Sequence, residues 1–270
     1  MRPLAERMRP RTLDEMVGQK RLLAPDSALR RAVESGRVHS MILWGPPGCG
    51  KTTLALLLAE YADAEFRAIS AVLSGLPEVR QVLAEAAQRF AEGRRTVLFV
   101  DEVHRFNKAQ QDAFLPHIER GTILFVGATT ENPSFELNSA LLSRCRVHVL
   151  EGVSPTDIVE ALERALGDRE RGLGEEHIEV APELLLEIAT AADGDVRRAL
   201  TLLEIAPEHS AAVIELGASR IGEIRYTVGL TRPQVVIINN AGTAHVGEFG
   251  GPEKPASISM AAHMEVGFAL

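Results

Sequence analysis

The sequence predicts an α/β fold: a parallel sheet with flanking helices, followed by a small all-helical lid and a short α/β-like C-terminal fragment. Three observations predict it. The apolar start of the stretch Met41–Tyr61 leads through a glycine-rich turn into a helical pattern. A second apolar run, Thr96–Val100, ends at an acidic pair, as expected of a strand buried on both faces. From Ser154 the pattern is helical only.

The glycine-rich turn contains Gly45-x-x-x-x-Gly50-Lys51-Thr52, the spacing of a phosphate-binding P-loop. Its glycines allow several backbone N–H groups to point at one anion, and the following helix adds its unpaired first-turn donors. Lys51 would place its charge against the β- and γ-phosphates, and the Thr52 hydroxyl would be a Mg²⁺ ligand. The alternative, an ordinary glycine-rich turn, is disfavoured by the strand before and the helix after it.

The acidic pair Asp101-Glu102 stands where the second apolar run ends. Ligands of open α/β sheets gather at the carboxyl ends of strands, and with a P-loop about 50 residues earlier the pair has the pattern of a Walker B motif. Asp101 would hold Mg²⁺ through water, and Glu102 would act as general base on the attacking water. His104 follows closely; a histidine here is more often a structural hydrogen-bonding group, and we leave it out of the catalytic set.

Two later positions have both a functional and an ordinary interpretation. Thr122–Gly127 is predicted as a buried strand, and the polar cluster Ala128–Asn132 after it would be either a sensor of the γ-phosphate or plain loop chemistry. Arg144 precedes a short strand predicted over Val147–Leu150. An isolated arginine is usually solvated surface, but near a subunit boundary it could reach the γ-phosphate of a neighbour.

Helical spacing and end signals predict the remaining elements. One more strand is expected over Glu65–Ile69. The helices are expected from Asp26 or Ser27 to Gly36, over Pro77–Glu92 with Phe90 facing inward, over Lys108–Arg120 with a bend at Pro116, from Ser154, over Pro182–Ala192, and from Gly194-Asp195. One of the two arginines at the start of the last helix, Arg197 or Arg198, could lean onto a bound nucleotide.

Composition favours a cytoplasmic protein of one large or two smaller domains. The chain has 270 residues and a net charge of −8, although residues 1–40 carry nine Arg and Lys against five Asp and Glu. Because the chain as a whole is acidic, any contact with nucleic acid would be limited to local basic regions. Cys49 and Cys145 lie far apart and indicate a reducing compartment. Without an apolar signal region or a run of about 18 apolar residues, no membrane association is expected.

Further matches extend these motifs over residues 1–206. They are Pro3-Leu4-Ala5-x-Arg7-Met8-Arg9-Pro10, Val17-Gly18-Gln19, Gly45–Thr53, the run from Phe99 to Glu119, Gly127–Phe135, Leu141-Leu142-Ser143-Arg144 and Gly194-Asp195-x-Arg197-Arg198-Ala199-Leu200. This set resembles the AAA+ ATPases of the replication-associated recombination protein A family, which are relatives of clamp-loader subunits. The resemblance implies a nucleotide-binding core over residues 1–152 and a helical lid over 153–206.

The resemblance also implies roles for individual residues. ATP would bind to Val17 and Gly18 in the adenine pocket, to Pro47, Gly48, Cys49, Gly50, Lys51, Thr52 and Thr53, and to Asp101 and Arg197; Mg²⁺ would bind to Thr52 and Asp101. The catalytic residues would be Glu102, Lys51, Thr130 as sensor 1, Arg144 as the arginine finger acting on a neighbouring subunit, and Arg197 as sensor 2. DNA-dependent ATPase activity at replication forks, homo-oligomers and partners such as single-strand binding protein are further implications.

Residues 207–270 depart from this family. Ala211–Ser219, Gly222-Glu223-Ile224, Arg232-Pro233 and Asn239–Gly250 resemble the middle domain of Mur ligases of the type that adds D-alanyl-D-alanine, in which Glu215 and His245 would lie near Mg²⁺ and nucleotide. Asn239–Gly242 also resembles a short-chain dehydrogenase motif, without that family's Tyr-x-x-x-Lys. A piece of about 60 residues with two candidate strands would bury too little surface to be well ordered alone.

The expected function is therefore an ATP-hydrolysing module of a clamp-loader-like protein that acts in DNA recombination and repair, truncated before its oligomerisation domain. A nucleotide-binding protein with negligible turnover is the alternative. Without the oligomerisation domain, Arg144 would have no neighbouring subunit to act on. The third expectation, a fragment of UDP-N-acetylmuramoyl-tripeptide–D-alanyl-D-alanine ligase, is the weakest, since no second P-loop precedes the Mur-like stretch.

Overall fold

The structure, a computed structural model, describes residues 2–176 and 178–204 and, beyond these, the backbone of three further strands. The chain divides into two compact units, residues 1–200 and 201–270. The strands of the first unit are β1 (Met41–Trp44), β2 (Ala64–Ser70), β3 (Arg95–Asp101), β4 (Leu124–Thr129) and β5 (Arg146–Val149). The α-helices are α1 (Leu4–Arg7), α2 (Ala28–Glu34), α3 (Lys51–Tyr61), α4 (Leu76–Ala91), α5 (Lys108–Asp112), α6 (Leu115–Glu119), α7 (Pro133–Glu136), α8 (Ser139–Leu142), α9 (Pro155–Gly167), α10 (Pro182–Ala191) and α11 (Val196–Glu204), the last of which crosses the boundary between the units.

The five strands of the first unit form one parallel sheet in the order β2-β3-β4-β1-β5, which confirms the predicted α/β fold. Thr129, the last residue of β4, is in register with Trp44, the last residue of β1. On its other side β4 pairs with β3, where Gly127 is opposite Val100. The loops that follow β1, β3 and β4 therefore leave the same edge of the sheet, where ligands of such sheets bind.

Both faces of the sheet are covered. Along β1, Met41 and Leu43 belong to one buried cluster, which includes side chains of α2 and α3. Ile42, between them in sequence, belongs to a second cluster with side chains of α4. Successive strand residues point to opposite faces, so a strand buried on both faces must be apolar throughout. This is why β1, β3 and β4 appear in the sequence as continuous apolar runs.

Two predictions about local structure are wrong. The helix expected over Lys108–Arg120 is two short helices, α5 and α6, which are separated at Ala113-Phe114. Pro116 lies in the first turn of α6, because its nitrogen cannot donate the hydrogen bond that a continuous helix requires. Phe90, expected to face inward on α4, is 47% exposed. The apolar positions Val79, Leu83 and Ala86 already fill the buried face of this helix.

The predicted strand over Thr122–Gly127 lies two residues further along, at Leu124–Thr129. Thr122 and Ile123 accordingly belong to the turn after α6, where both N–H groups donate to the carbonyl of His117. The shift places Thr129 inside the sheet as a completely buried strand residue. Thr130 becomes the first residue beyond the strand.

The predicted helical segment begins as expected at Ser154, whose Oγ accepts a hydrogen bond from the Asp157 N–H at 3.2 Å. Helices α9, α10 and α11 follow, with Leu162, Leu185 and Leu200 among their buried side chains. Among the residues that the structure describes, no helix is long and apolar enough to span a membrane.

The second unit contains an antiparallel sheet of three strands, β6 (Ala211–Leu216), β7 (Ile237–Asn240) and β8 (Ala261–Gly267), in the order β6-β8-β7. The sequence predicted two strands in this region, and β8 lies where no match was recognised. Glu215, on β6, is in register with His263 on β8. His245 lies outside the described residues.

Candidate nucleotide-binding site

The P-loop joins β1 directly to α3. Gly48 has a φ of +66° and Gly50, the residue that caps α3, a φ of +99°. Both values lie in the left-handed region, where a side chain costs about 1 kcal/mol or more, so glycine is required at both positions. The turn brings the amino end of the 11-residue helix α3 to the ligand edge of the sheet. The unpaired N–H groups of its first turn are suited to an anion.

Lys51 is held inside this loop. The residue is 8% exposed, and its Nζ donates hydrogen bonds to the carbonyl oxygens of Gly45 at 2.7 Å and Pro46 at 2.8 Å. An ammonium group has three protons, so these two bonds leave one for an anion. The loop thus fixes the position of a positive charge next to the donors of α3.

The acidic pair lies at the end of β3, as predicted. Asp101 is the last strand residue, and its Oδ1 accepts a hydrogen bond from the Glu102 N–H at 3.2 Å. Glu102 has a φ of +52°, which is uncommon for a residue with a side chain. Such conformations persist where the surrounding structure imposes them and are concentrated at functional sites. The turn directs the chain from the sheet into a short 3₁₀ helix, Val103–Arg105.

His104 connects this turn to the neighbouring strand. Its Nδ1 lies 2.9 Å from the Thr129 Oγ1 and 3.3 Å from the Glu102 Oε2, and its side chain is 6% exposed. Sequence reasoning assigned His104 only a structural hydrogen bond and did not single out Thr129. The position of His104, two residues after Glu102, was a usable signal of a role at the site. Its partner Thr129 can be identified only when β3 and β4 are known to be neighbours.

One cavity of about 230 Å³ brings most of the predicted site residues together. Its walls come from the P-loop, the end of β3, the N-terminal arm (residues 2–20) and the lid helices, all within the first unit. The predicted residues that line it are Val17, Pro47, Gly48, Cys49, Gly50, Lys51, Thr52, Thr53, Asp101, Glu102 and Arg197. Gly18, Thr130 and Arg144 are not on its walls. The N-terminal arm contributes Met8, Arg9 and Pro10 to this cavity.

The three remaining predicted residues lie nearby or further away. Gly18 packs against Val153: a methyl group added to it would be 3.2 Å from the Val153 Cγ1. Thr130 directly follows β4. The Arg144 guanidinium is paired with the Glu119 carboxylate and donates to the Ala140 carbonyl at 2.8 Å. Arg144 is thus directed away from the cavity of its own chain.

Gln19 is a residue next to the cavity whose individual role sequence reasoning missed. It is 9% exposed, and its Nε2 donates to the carbonyl oxygens of Glu151 at 2.7 Å and Cys49 at 3.4 Å. The Glu151 N–H donates back to the Gln19 Oε1 at 3.2 Å. This side chain therefore ties the N-terminal arm to the P-loop and to the segment that leads into the lid. The Val17-Gly18-Gln19 match marked the position but not these contacts.

The lid also reaches the P-loop through Asp195. A methyl group added to Gly48 would lie 1.9 Å from the Asp195 Cγ, so the carboxylate packs against the bare Cα of this glycine. The Asp195 Oδ1 also accepts a hydrogen bond from the Arg198 N–H at 3.0 Å, which caps α11. On the P-loop itself, burial raises the pKa of the Cys49 thiol, against the opposing effect of the Lys51 charge. Cys49 therefore adds no negative charge to the site at neutral pH.

The residues present fit Mg²⁺ with a nucleotide. Thr52 supplies a hydroxyl and Asp101 a carboxylate on the same cavity, and Mg²⁺ characteristically takes one or two such oxygens with substrate phosphates and water. Among the described residues no cluster of three or more His, Cys, Asp or Glu side chains is arranged to hold a metal ion alone. The site would therefore bind the ion together with the phosphates, next to Lys51 and the amino end of α3.

Comparison with known proteins supports this interpretation of the site. Residues 41–153 match the model of the ATPase family associated with various cellular activities (AAA), and residues 186–260 match the Mur ligase middle domain. Replication-associated recombination protein A of Escherichia coli K12 is 59% identical over 203 residues, which cover 75% of this chain and 45% of that protein. The Bacillus subtilis 168 protein of the same name is 40% identical over 228 residues, covering 84% of this chain and 52% of that protein.

A solved structure agrees with the fold. The RuvB Holliday junction branch migration motor of Thermotoga maritima superposes with a TM-score of 0.59 at 30% identity, covering 73% of this chain and 64% of that one. The chain spans about half the length of the curated relatives named above. Residues 41–153 therefore match an AAA-family ATPase domain, and the chain that contains them is similar to replication-associated recombination protein A over three quarters of its length.

Proposed function

We propose that this chain binds ATP with Mg²⁺ and hydrolyses it. The observation that carries the proposal is the single cavity lined by Lys51, Thr52, Asp101, Glu102 and Arg197. These side chains come from the P-loop, from β3 and from the lid, and each has the chemistry that one part of phosphoryl transfer requires. These five residues alone bring two cations, two carboxylates and a hydroxyl to one opening, which ordinary packing does not account for.

Each residue then has a distinct task. Lys51 and the N–H groups of α3 bind the phosphates, and Arg197 adds a second positive charge from the lid. Thr52 and Asp101 would hold Mg²⁺, which neutralises phosphate charge when bound. Glu102 orients the attacking water and accepts its proton. Thr130, just beyond β4, would respond to the γ-phosphate as sensor 1, and the adenine would lie against Val17, with Gly18 behind the wall at Val153.

We further propose that this activity serves DNA recombination and repair at replication forks in the cytoplasm. The support is the similarity to replication-associated recombination protein A and to a Holliday junction branch migration motor. DNA is the proposed partner, with a homo-oligomer as the form in which Arg144 reaches a neighbouring site and single-strand binding protein as a further candidate. The chain's net charge of −8 means that DNA contact would be confined to local basic regions.

Glu102→Gln tests the hydrolysis step. The amide keeps the size of the side chain but cannot accept a proton, so ATP affinity should stay within about twofold while turnover falls by about a hundredfold or more. Glu92→Gln, at an exposed residue beyond α4, is the matched control and should leave both unchanged. Equal turnover of the wild-type chain and Glu102→Gln, with and without DNA, would contradict the assigned role of Glu102.

A second candidate function is nucleotide binding with negligible turnover. The observation that favours it is the pairing of Arg144 with Glu119 outside the cavity, which leaves the transition-state charge without this cation in a single chain. A sizing column run beside the ATPase assay separates the two candidates. A monomer whose turnover does not respond to DNA favours binding alone, whereas an oligomer with DNA-stimulated turnover favours the ATPase.

A Mur-type ligase is the third candidate, and its support is the family match over residues 186–260. Joining UDP-N-acetylmuramoyl-tripeptide to D-alanyl-D-alanine would be the activity to assay. We expect no product, because the P-loop of this chain lies in the AAA-type domain and is followed there by its own acidic pair. Product formation that persists in Lys51→Ala would show a separate ligase site.

A further inference from the structure

We propose that His104 is a positioning residue for ATP hydrolysis, an inference that rests on the proposed function. Through its Nδ1–H the imidazole holds the Glu102 carboxylate in the orientation in which it accepts the proton of the attacking water. The strand β4 in turn holds the imidazole through Thr129. Neither His104 nor Thr129 belongs to the catalytic set that the sequence predicted.

The contacts form a short chain of polar groups from the sheet to the general base. Thr129 is completely buried at the end of β4, and its Oγ1 is 2.9 Å from the His104 Nδ1. The same nitrogen lies 3.3 Å from the Glu102 Oε2. The side chains of His104 and Glu102 are 6% and 31% exposed, respectively. The exposure of these three side chains therefore increases from the strand toward the cavity that Glu102 lines.

The hydrogen-bond network favours a proton on the His104 Nδ1. The Thr129 Oγ1 accepts from the Glu131 N–H at 3.0 Å and donates its own proton to the Glu131 carbonyl at 3.2 Å. With the hydroxyl proton directed to that carbonyl, the remaining lone pair of Oγ1 can accept from the imidazole. A bare lone pair on Nδ1 would also face the Glu102 carboxylate unfavourably. We therefore place the proton on Nδ1, where it can donate to the Thr129 Oγ1 and faces the Glu102 carboxylate.

The backbone brings His104 to this place. Glu102 adopts the left-handed conformation, and its carbonyl accepts a hydrogen bond from the Arg105 N–H at 2.8 Å. This tight turn returns His104 toward the side chain of the residue two positions before it. A partly exposed glutamate otherwise distributes over many rotamers, at a cost of up to about 2 kcal/mol when it is ordered. An N–H donor fixed by the sheet reduces that cost in advance of the reaction.

A purely structural role for His104 predicts different behaviour. A buried imidazole that only joins β3 to β4 would, when replaced, lower the stability of the domain and change ATP affinity together with turnover. A positioning role separates these quantities: the turnover number falls while KM and nucleotide affinity remain. It also predicts that an N–H donor placed close to the Nδ1 position restores turnover, whatever the rest of the side chain.

His104→Phe and His104→Asn in the full chain form the test. Phenylalanine keeps a ring but has no donor, whereas the asparagine amide places an N–H close to the Nδ1 position. We expect kcat to fall about ten- to hundredfold in His104→Phe with KM for ATP within about twofold, and His104→Asn to recover most of the loss. His117→Phe, at a histidine on α6 outside the cavity, is the matched control.

A second pair keeps the test decisive if His104→Phe does not fold. Thr129→Val removes the hydroxyl that holds the imidazole and should lower kcat, and Thr129→Ser should recover much of it. Equal kcat values for the wild-type chain, His104→Phe and Thr129→Val would overturn the positioning role while leaving the ATPase proposal intact. A parallel rise in KM would also overturn it, in favour of the structural role. No turnover in the wild-type chain would overturn both proposals.

Discussion

Asp195 and Gly48 are in direct contact: a methyl group at Gly48 would lie 1.9 Å from the Asp195 Cγ. Asp195 caps α11, the helix that carries Arg197, and Gly48 is a phosphate-loop residue with a positive φ. The lid is therefore positioned on the P-loop by a side chain that requires a bare Cα beneath it. Substitutions at Gly48 and Asp195 can therefore test separately the space and the negative charge at this contact.

Gly48→Ala should weaken ATP binding by about tenfold or more. The added methyl group meets both an unfavourable φ, which costs about 1 kcal/mol, and the Asp195 carboxylate, so the loop or the lid must shift. Isothermal titration with a nonhydrolysable ATP analogue measures the effect. Gly93→Ala is a matched control, because Gly93 has a φ of +78° but nothing within 4 Å of an added methyl group. Equal affinities of Gly48→Ala and Gly93→Ala would contradict this account.

Asp195→Asn should strengthen ATP binding. Asparagine caps a helix about as well as aspartate, so α11 keeps its start while a negative charge beside the phosphate loop is removed. Repulsion between that charge and a triphosphate is partly screened by water, and we expect an affinity gain of about three- to tenfold. The gain should shrink at high salt. Unchanged or weaker binding in low salt would show that the carboxylate does not oppose the nucleotide.

Acidification should destabilise the domain through His148. Burial above all, with the charges of His39 and Arg146, lowers the pKa of His148 from 6.5 to about 4, and its buried Nε2 has no hydrogen-bond partner. In the unfolded chain His148 binds a proton near pH 6.5, whereas in the folded chain it binds one only near pH 4. The free energy of unfolding therefore falls as the pH drops from 6.5 toward 4.

His148→Leu should remove that dependence. Between pH 7.5 and pH 5 the wild-type chain should lose up to about 2 kcal/mol more unfolding free energy than the variant. Urea unfolding followed by the fluorescence of Trp44, which is located on β1 of the same sheet, provides the measurement. If the two chains lose equal stability over this range, His148 is not the responsible group.

Local patterns predicted most of the fold and the centre of the site. The P-loop and the acidic pair are contiguous in sequence and follow strands, so their positions at the sheet edge depend only on the strands being parallel. The helix cap at Ser154 could be predicted equally well, because capping involves residues that are only three apart in sequence. The resemblance to a known family extended this to Arg197, which the structure places on the cavity wall.

Contacts between elements distant in sequence were beyond such reasoning. Thr129 becomes a partner of His104 only because β4 lies beside β3, and its assignment to the strand required the true limits of β4. Asp195 meets Gly48 only because the lid is packed on the P-loop. Phe90 was misplaced for a different reason: helical spacing allows it on the apolar face of α4, but that face is already filled.

The central claim is that Lys51 and the acidic pair act on one triphosphate, and Lys51→Ala tests it most directly. ATP affinity of the full chain, measured by titration with and without Mg²⁺, should fall by about a hundredfold or more, because the substitution removes the ammonium that Gly45 and Pro46 hold in the loop. Lys108→Ala, at an exposed lysine outside the cavity, should bind as the wild-type chain does. Wild-type affinity in a folded Lys51→Ala chain would contradict the account.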